Sequence, residues 1–438
     1  MQIKHTLVIA SLALLGGAWS LSAPAYAGEV STIAGSGAFG MKDGPAQQAT
    51  FIAPVGIAVA KDGSIYISDR DAQRIRVLTP GGVVKTVAGG GEIDAKRAGL
   101  AVPGGYKDGP ALEARFHGPT GMAFGPDGAL YIADLSNSCI RKLWHDQVTT
   151  VLGVEGTPGT IDGDAKRARL VHPRALTFDG AGNMYIADDG GGLRKWDTHG
   201  MLKSIHLHDY VDPKFALGVA FLADASDPVV AVTSHDGLFI YHPTTGKDEG
   251  YAARGAFEGD LPLGTPNQIV GKDRRQFYYT DLMMSSVNYG RLPARLFAGK
   301  LFARAVAGSL IRWPWKSSGF ADGARYDSRF YDPMGIALTN NNTAIVADTG
   351  NRRIRRMELP HTTVSEAGID PANVVDDKHY EVALVGASWT FWDSLGDDSI
   401  CAAIATTMDR SGRFKKPVRC HTVRIDAAIT EQDEDYIK

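Results

Sequence analysis

The chain reads as an all-β protein, a six-bladed β-propeller closed by its own N-terminal strand and followed by a small α/β segment. Three observations carry that reading. First, Pro54 precedes Asp69, Pro119 precedes Asp134, Pro173 precedes Asp188, Pro266 precedes Asp281 and Pro333 precedes Asp348, by fifteen residues each time. Second, an Asp-Gly pair recurs ahead of four of these units, at Asp43-Gly44, Asp108-Gly109, Asp162-Gly163 and Asp322-Gly323, with Phe51, Phe116, Leu170 or Phe330 eight residues after the Asp. Third, the segment Val30–Gly35 (VSTIAG) repeats the text of Val84–Gly89 (VKTVAG), the outermost strand of the first full unit. Short strands repeating at fixed offsets indicate a propeller or a solenoid.

In chain order, the start reads as a leader. Lys4 and His5 precede an apolar run from Thr6 to Leu21, and Ala25-Tyr26-Ala27 forms a small-x-small cleavage site. The run is short for a spanning helix, and no other segment is long and apolar enough to cross a bilayer. Residues 1–27 are therefore expected to be a signal peptide and the mature chain to begin at Gly28, in the periplasm or outside the cell. Residues 28–360 are assigned to the propeller, 361–378 to a linker and 379–438 to the α/β segment.

Each full unit offers four strands. In the second these are Gly121–Phe124, Ala129–Ala133, Ile140–Trp144 and Val148–Leu152, with Asp127-Gly128 as a hairpin turn because Gly accepts positive φ. Units starting at Pro54, Pro119, Pro173 and Pro333 are clear, and the one at Pro266 is weaker. Between them, Gly218–Ala220, Val229–Thr233 and Leu238–Tyr241 form a degenerate unit that lacks the Asp. That makes six blades. The last unit has no outer strand of its own before Pro360, so Val30–Gly35 is expected to complete it, which ties the termini together and removes an open edge.

The segments Tyr131-Ile132-Ala133-Asp134…Cys139-Ile140-Arg141 and Ala344–Asp348…Asn351–Arg355 resemble the signature of NHL-repeat β-propellers, over about Glu29 to Leu359. The resemblance implies the fold and leaves the function open, because such propellers serve as binding platforms, as lyases and as lactonase-like hydrolases. The lyases it brings in hold a metal, usually zinc, with histidines near the channel.

Composition narrows the classes. A net charge of -3 and a pI near 6.5 leave no electrostatic footprint for nucleic acid. Three cysteines among 438 residues do not make a disulfide scaffold. The repeated Asp tempts a catalytic reading, but it occurs once per blade, and a carboxylate ending a strand can accept amides of the following turn. Arg76, Arg141 and Arg355, seven residues on, are placed to pair with it. The Asp-Gly pairs read as turns linking adjacent blades.

Function is expected where the repeat breaks, on loops leading into the inner strands. There stand Arg115, His117, His172, Arg174, His235, Asp236, Arg329, Tyr331 and Asp332, and His117, His172, His235 and Asp332 would share a pocket if their loops converge. No HExxH or paired-Cys spacing assigns a metal, and nothing assigns a cofactor. The expected partner is a protein, or a small-molecule or carbohydrate ligand, at one propeller face. Glu92–Lys107, Met283–Ser309 and Trp313-Pro314-Trp315 are irregular stretches able to shape that face or to pack outside it.

After the linker, Tyr380–Thr390 reads as a buried strand entering a turn at Gly386-Ala387-Ser388, followed by a helix at Asp398–Met408 and a second strand at Val418–Ile425. This resembles the opening block of SGNH (GDSL-type) hydrolases, in which the Ser after the first strand is the nucleophile. The family's Gly-Asp-Ser reads Gly-Ala-Ser here, only His421 lies downstream, and the oxyanion-hole blocks are missing. A serine without a base is a weak nucleophile, so Ser388 is expected to be inactive in this chain. Cys401 and Cys420 fit either a disulfide or two free thiols.

Overall fold

The computed structural model describes residues 29–90, 102–207 and 215–359, with breaks at 225–226, 236, 253–256, 259–264, 274–275, 283, 292–300, 308–317, 325–327 and 340–342, together with two strands at 380–386 and 418–424. The leader, Asp236, Trp313–Trp315, the linker, the helix at 398–408, Cys401 and Ser388 lie outside the described residues. The chain divides into one large unit, Ala27–Asp377, and a smaller one that holds the C-terminal strands.

The large unit is a six-bladed propeller. Its six sheets are antiparallel meanders, apart from a short parallel pairing of Phe257–Glu258 with Leu301–Ala307 at the edge of the fifth, and the inner strands Pro54–Val59, Pro119–Phe124, Pro173–Phe178, Ala216–Leu222, Pro266–Asp273 and Pro333–Leu338 follow one another around the ring. The second strands Leu130–Asp134 and Met184–Asp188 are buried at every position. They lie between neighbouring blades and so carry continuous apolar runs rather than alternation. Outer strands such as Gln147–Gly153 begin with alternating exposed and buried positions, because there they face solvent on one side.

Among the described residues the core is not a single central one. Apolar wedges fill the spaces between blades: Ala58, Ile75, Phe116, Met122 and Ile132 join the first and second, and Tyr278, Phe330, Ile336 and Met357 join the fifth and sixth.

The ring closes as the duplicated strand text implies. Glu29–Ala34 pairs antiparallel with Arg353–Glu358, setting Val30 opposite Met357 and Ala34 opposite Ile354. The degenerate fourth blade is built from Ala216–Leu222, Val229–Ser234, Gly237–Tyr241 and Asp248–Ala252.

The Asp-Gly pairs do more than link blades, which corrects the turn assignment. Gly44–Pro45, Gly109–Pro110, Gly163–Asp164 and Gly323–Ala324 each form a two-residue fifth strand on the outer edge of a blade. Strands this short are invisible to a pattern search that needs at least four alternating residues.

Hydroxyls on the inner strands and on or just after the second strands tie one blade to the next. Ser68 donates to the Thr120 carbonyl at 2.6 Å, Thr120 to that of Pro173 at 3.3 Å, Thr280 to that of Met334 at 2.6 Å, and Thr349 to that of Pro54 at 2.6 Å, so the last tie spans the ring closure. Such close approach requires residues without side chains. A Cβ on Gly56 would collide with the Thr120 carbonyl and one on Gly335 with that of Val55. Gly56→Ala is expected to cost about 1–3 kcal/mol through overpacking against backbone that cannot yield. A chemical-denaturation midpoint unchanged in that variant would show that the blades have slack at the channel.

In the smaller unit, Tyr380–Gly386 pairs in parallel with Val418–Arg424, with Ala383 opposite His421 and Val382 opposite Cys420. A parallel pair needs a crossover connection, in keeping with the strand positions read from sequence.

Candidate functional site

The repeated aspartates anchor the blades. Asp134 is fully buried, accepts the His117 amide at 2.8 Å and the Asn137 side chain at 2.8 Å, and pairs with the buried Arg141 at 2.8 Å. Arg141 also reaches Asp108 of the Asp-Gly pair at 2.6 Å and the Arg115 carbonyl at 2.9 Å. Asp108 in turn holds the amide and hydroxyl of Thr150 on the outer strand. The guanidinium lies between the rings of Tyr106, 4.8 Å away, and Phe116, 5.1 Å away, so cation–π attraction adds to the ion pairs.

The same assembly recurs as Asp69–Arg76–Asp43, Asp188–Arg194–Asp162 and Asp348–Arg355–Asp322. In the sixth blade the outer-strand hydroxyl comes from Thr32, on the closing strand. Burial pushes the Asp69, Asp188 and Asp348 carboxyls up to about 6, against the downward pull of their arginines and amide donors.

Arg194 escapes a search at the seven-residue offset because the Gly190-Gly191-Gly192 turn is one residue shorter, which leaves it six residues after Asp188. Tyr106 and Phe320, two residues ahead of Asp108 and Asp322, bring a second ring to the anchor arginines. Phe320 lies 5.0 Å from the Arg355 guanidinium, and the signal for both was a ring at the same offset from the Asp-Gly pair.

The residue after each strand-opening position forms a ring of six equivalents: Val55, Thr120, Arg174, Leu217, Asn267 and Met334. Arg174 alone among them is charged. Its Nε donates to Asp189 at 2.6 Å, and both side chains remain partly exposed.

Asp189 follows the anchor Asp188, at the position held elsewhere by Arg70, Leu135, His235, Leu282 and Thr349. Its backbone amide donates to His172 O at 2.9 Å, and its backbone bridges to Phe215 at the start of the next blade. The Phe215 ring is 45% exposed and meets the exposed His235 edge-on, with centroids 6.1 Å apart. Three of the residues read from sequence are thus linked in a chain of contacts across the third and fourth blades: His172, through its carbonyl, and Arg174 meet Asp189, and His235 meets Phe215.

The other candidates lie apart from this cluster or serve the frame. The carbonyls of Arg115 and Arg329 accept from the anchor arginines Arg141 and Arg355, while their own side chains are exposed. His117 gives its amide to Asp134, and its exposed ring lies against Gly104. Tyr331 gives its amide to Asp348 and leaves its ring 47% exposed. Asp332 takes a left-handed φ of 48°, at the position of Gly118, and partial burial pushes its carboxyl up. Among the described residues, no three His, Cys, Asp or Glu side chains are grouped to hold a metal ion. Asp236 and Ser388 lie outside the described residues.

The family profile for the NHL repeat matches residues 51–78 and 116–143, and the chain carries NHL repeats on a six-bladed propeller. Among curated proteins, it is 35% identical over 108 residues to the chloroplastic protein SUPPRESSOR OF QUENCHING 1 of Arabidopsis thaliana, covering 24% of this chain and 9% of that one. It is 39% identical over 102 residues to Teneurin-3 of Mus musculus, covering 22% of this chain and 4% of the other. The matched stretches thus take in less than a tenth of these relatives' own lengths. Among solved structures, an auxiliary nutrient binding protein from Bacteroides thetaiotaomicron aligns with a TM-score of 0.54 at 16% identity, over 76% of this chain and 77% of that one. At that identity the likeness is one of fold.

Proposed function

We propose that this chain is an exported propeller that binds a ligand without transforming it, with its seat at the channel end over the third and fourth blades. One observation carries the reading. In a ring whose equivalent positions are otherwise uncharged, Arg174 breaks the pattern and pairs with an added carboxylate, Asp189, whose backbone bridges to the exposed Phe215 and, through that ring, leads to His235. A few placed polar groups beside apolar surface are the usual composition of a small-molecule seat. The nutrient-binding protein of similar fold is compatible with this use of the scaffold. Export rests on the apolar run Thr6–Leu21 and the Ala25-Tyr26-Ala27 site.

The seat is tested by ligand-detected NMR of the purified protein against a mixed library of small metabolites and glycans. A ligand is expected whose signal disappears in Arg174→Ala, with affinity lowered by about tenfold or more, and persists in Arg115→Ala. Hits that survive Arg174→Ala with the wild-type affinity overturn the placement. Export is tested by N-terminal sequencing of the protein from a secreting bacterial host, where a chain starting at Met1 overturns it.

A further inference from the structure

From the chemistry of that seat we infer that its ligand is a neutral carbohydrate, an assignment that rests on the binding role proposed above. The charges decide the first half. Arg174 brings one fixed cation and Asp189 one fixed anion, held in contact at 2.6 Å, so they cancel as seen by an incoming molecule. An anionic ligand would have to approach Asp189, and a cationic one would have to approach Arg174. Either would compete with an ion pair already satisfied.

The paired groups still have hydrogen-bonding capacity to spare. Arg174 spends Nε on Asp189 and keeps the donors of its guanidinium fork, while the carboxylate keeps acceptor sites. The pair is therefore a fixed donor set beside a fixed acceptor set. Vicinal hydroxyls, each both donor and acceptor, match it in a way that a purely accepting or purely donating ligand cannot.

The ring decides the second half. Phe215 is 45% exposed with His235 at its edge, which leaves ring surface open to solvent. A flat apolar surface next to a donor–acceptor pair fits a pyranose, which has a face of C–H groups and a rim of hydroxyls. Asp189 joins the two parts through its backbone bridge to Phe215, so the polar and apolar halves are held in register across the blade boundary rather than placed by chance side-chain positions.

The experiment is calorimetric titration of the full chain with maltose, cellobiose and lactose, and with galacturonic acid and glucosamine as charged counterparts, at millimolar concentration. At least one neutral disaccharide is expected to bind, and Phe215→Ala to weaken it about tenfold or more, with Phe215→Trp retaining it. Arg174→Lys, which keeps the charge and loses the planar fork, is expected to weaken it as well. Thermal melts matching wild type would show that the variants are folded. Binding of the acidic or amino sugar alone, with the same dependence on Phe215 and Arg174, overturns the neutral class and leaves the seat standing. Neutral-sugar binding indifferent to Phe215→Ala and Arg174→Lys overturns the seat itself. Failure of every sugar, while the metabolite library yields an Arg174-dependent ligand, overturns the carbohydrate assignment and spares the binding role.

Discussion

Deletion of residues 29–35 is expected to lower the melting temperature by about 10 °C or more, because several kcal/mol of packing leaves with the closing strand. Val30 and Ala34 are fully buried and belong to two different wedges of the core, Val30 with Tyr278 and Phe330 and Ala34 with Phe51 and Ile67. The deletion therefore loosens the sixth blade against both neighbours at once. It also strips Arg353–Glu358 of its outer pairing partner and leaves an unpaired strand edge, a template for association with other chains. Asp322 would lose Thr32, and the Gly35 amide bond to the Ala46 carbonyl, 2.9 Å in the intact ring, would go too. Val30→Asp probes the same closure without shortening the chain, by burying a charge where a methyl pair sat. Wild-type melting in both variants would mean that the ring is held by its inner ties alone.

The blades were legible because they are written redundantly. Pro, Asp and Asp-Gly recur at fixed offsets, so a single misread unit does not disturb the count, and the duplicated text of Val84–Gly89 located the closing strand. Arg194 was hidden by one residue missing from a glycine turn, and the short fifth strands fell below the length at which alternation can be seen.

The candidate site was half legible for a different reason. His172, Arg174 and His235 stand out as departures from the repeat. Asp189 stands directly after the anchor Asp188, and Phe215 opens the unit that lacks the repeated Asp. What joins them is a backbone bridge between neighbouring blades and an ion pair across a strand end. Neither has a local sequence signature, since it depends on how one blade's loops meet the next. The described histidines and Asp332 form no common metal-binding group, and the meeting observed is between two adjacent blades.

Replacing a single anchor arginine is expected to cost nearly as much as losing a strand contact. Arg141→Met should destabilise the protein by about 3–5 kcal/mol, the range for removing one partner of a buried ion pair. The methionine has roughly the volume to fill the space between Tyr106 and Phe116, so the loss would be electrostatic rather than a cavity. Asp134 would remain fully buried with the His117 amide and Asn137 but without its countercharge. Asp108, 39% exposed at its side chain, can turn to water and loses less. Two comparisons sharpen the expectation. Adding Asp134→Asn to Arg141→Met removes the stranded charge while keeping an acceptor for the His117 amide, so the double variant should be more stable than Arg141→Met alone. Arg194→Met should cost less than Arg141→Met, because Arg194 sits 3.4 Å from its anchor aspartate against 2.8 Å for Arg141, and Leu170 stands where the other blades place a phenylalanine ring. Guanidinium denaturation of the four proteins decides it. A double variant less stable than Arg141→Met, or an Arg141→Met midpoint equal to wild type, would show that the anchor is held by its backbone donors and that the arginine is incidental to the blade.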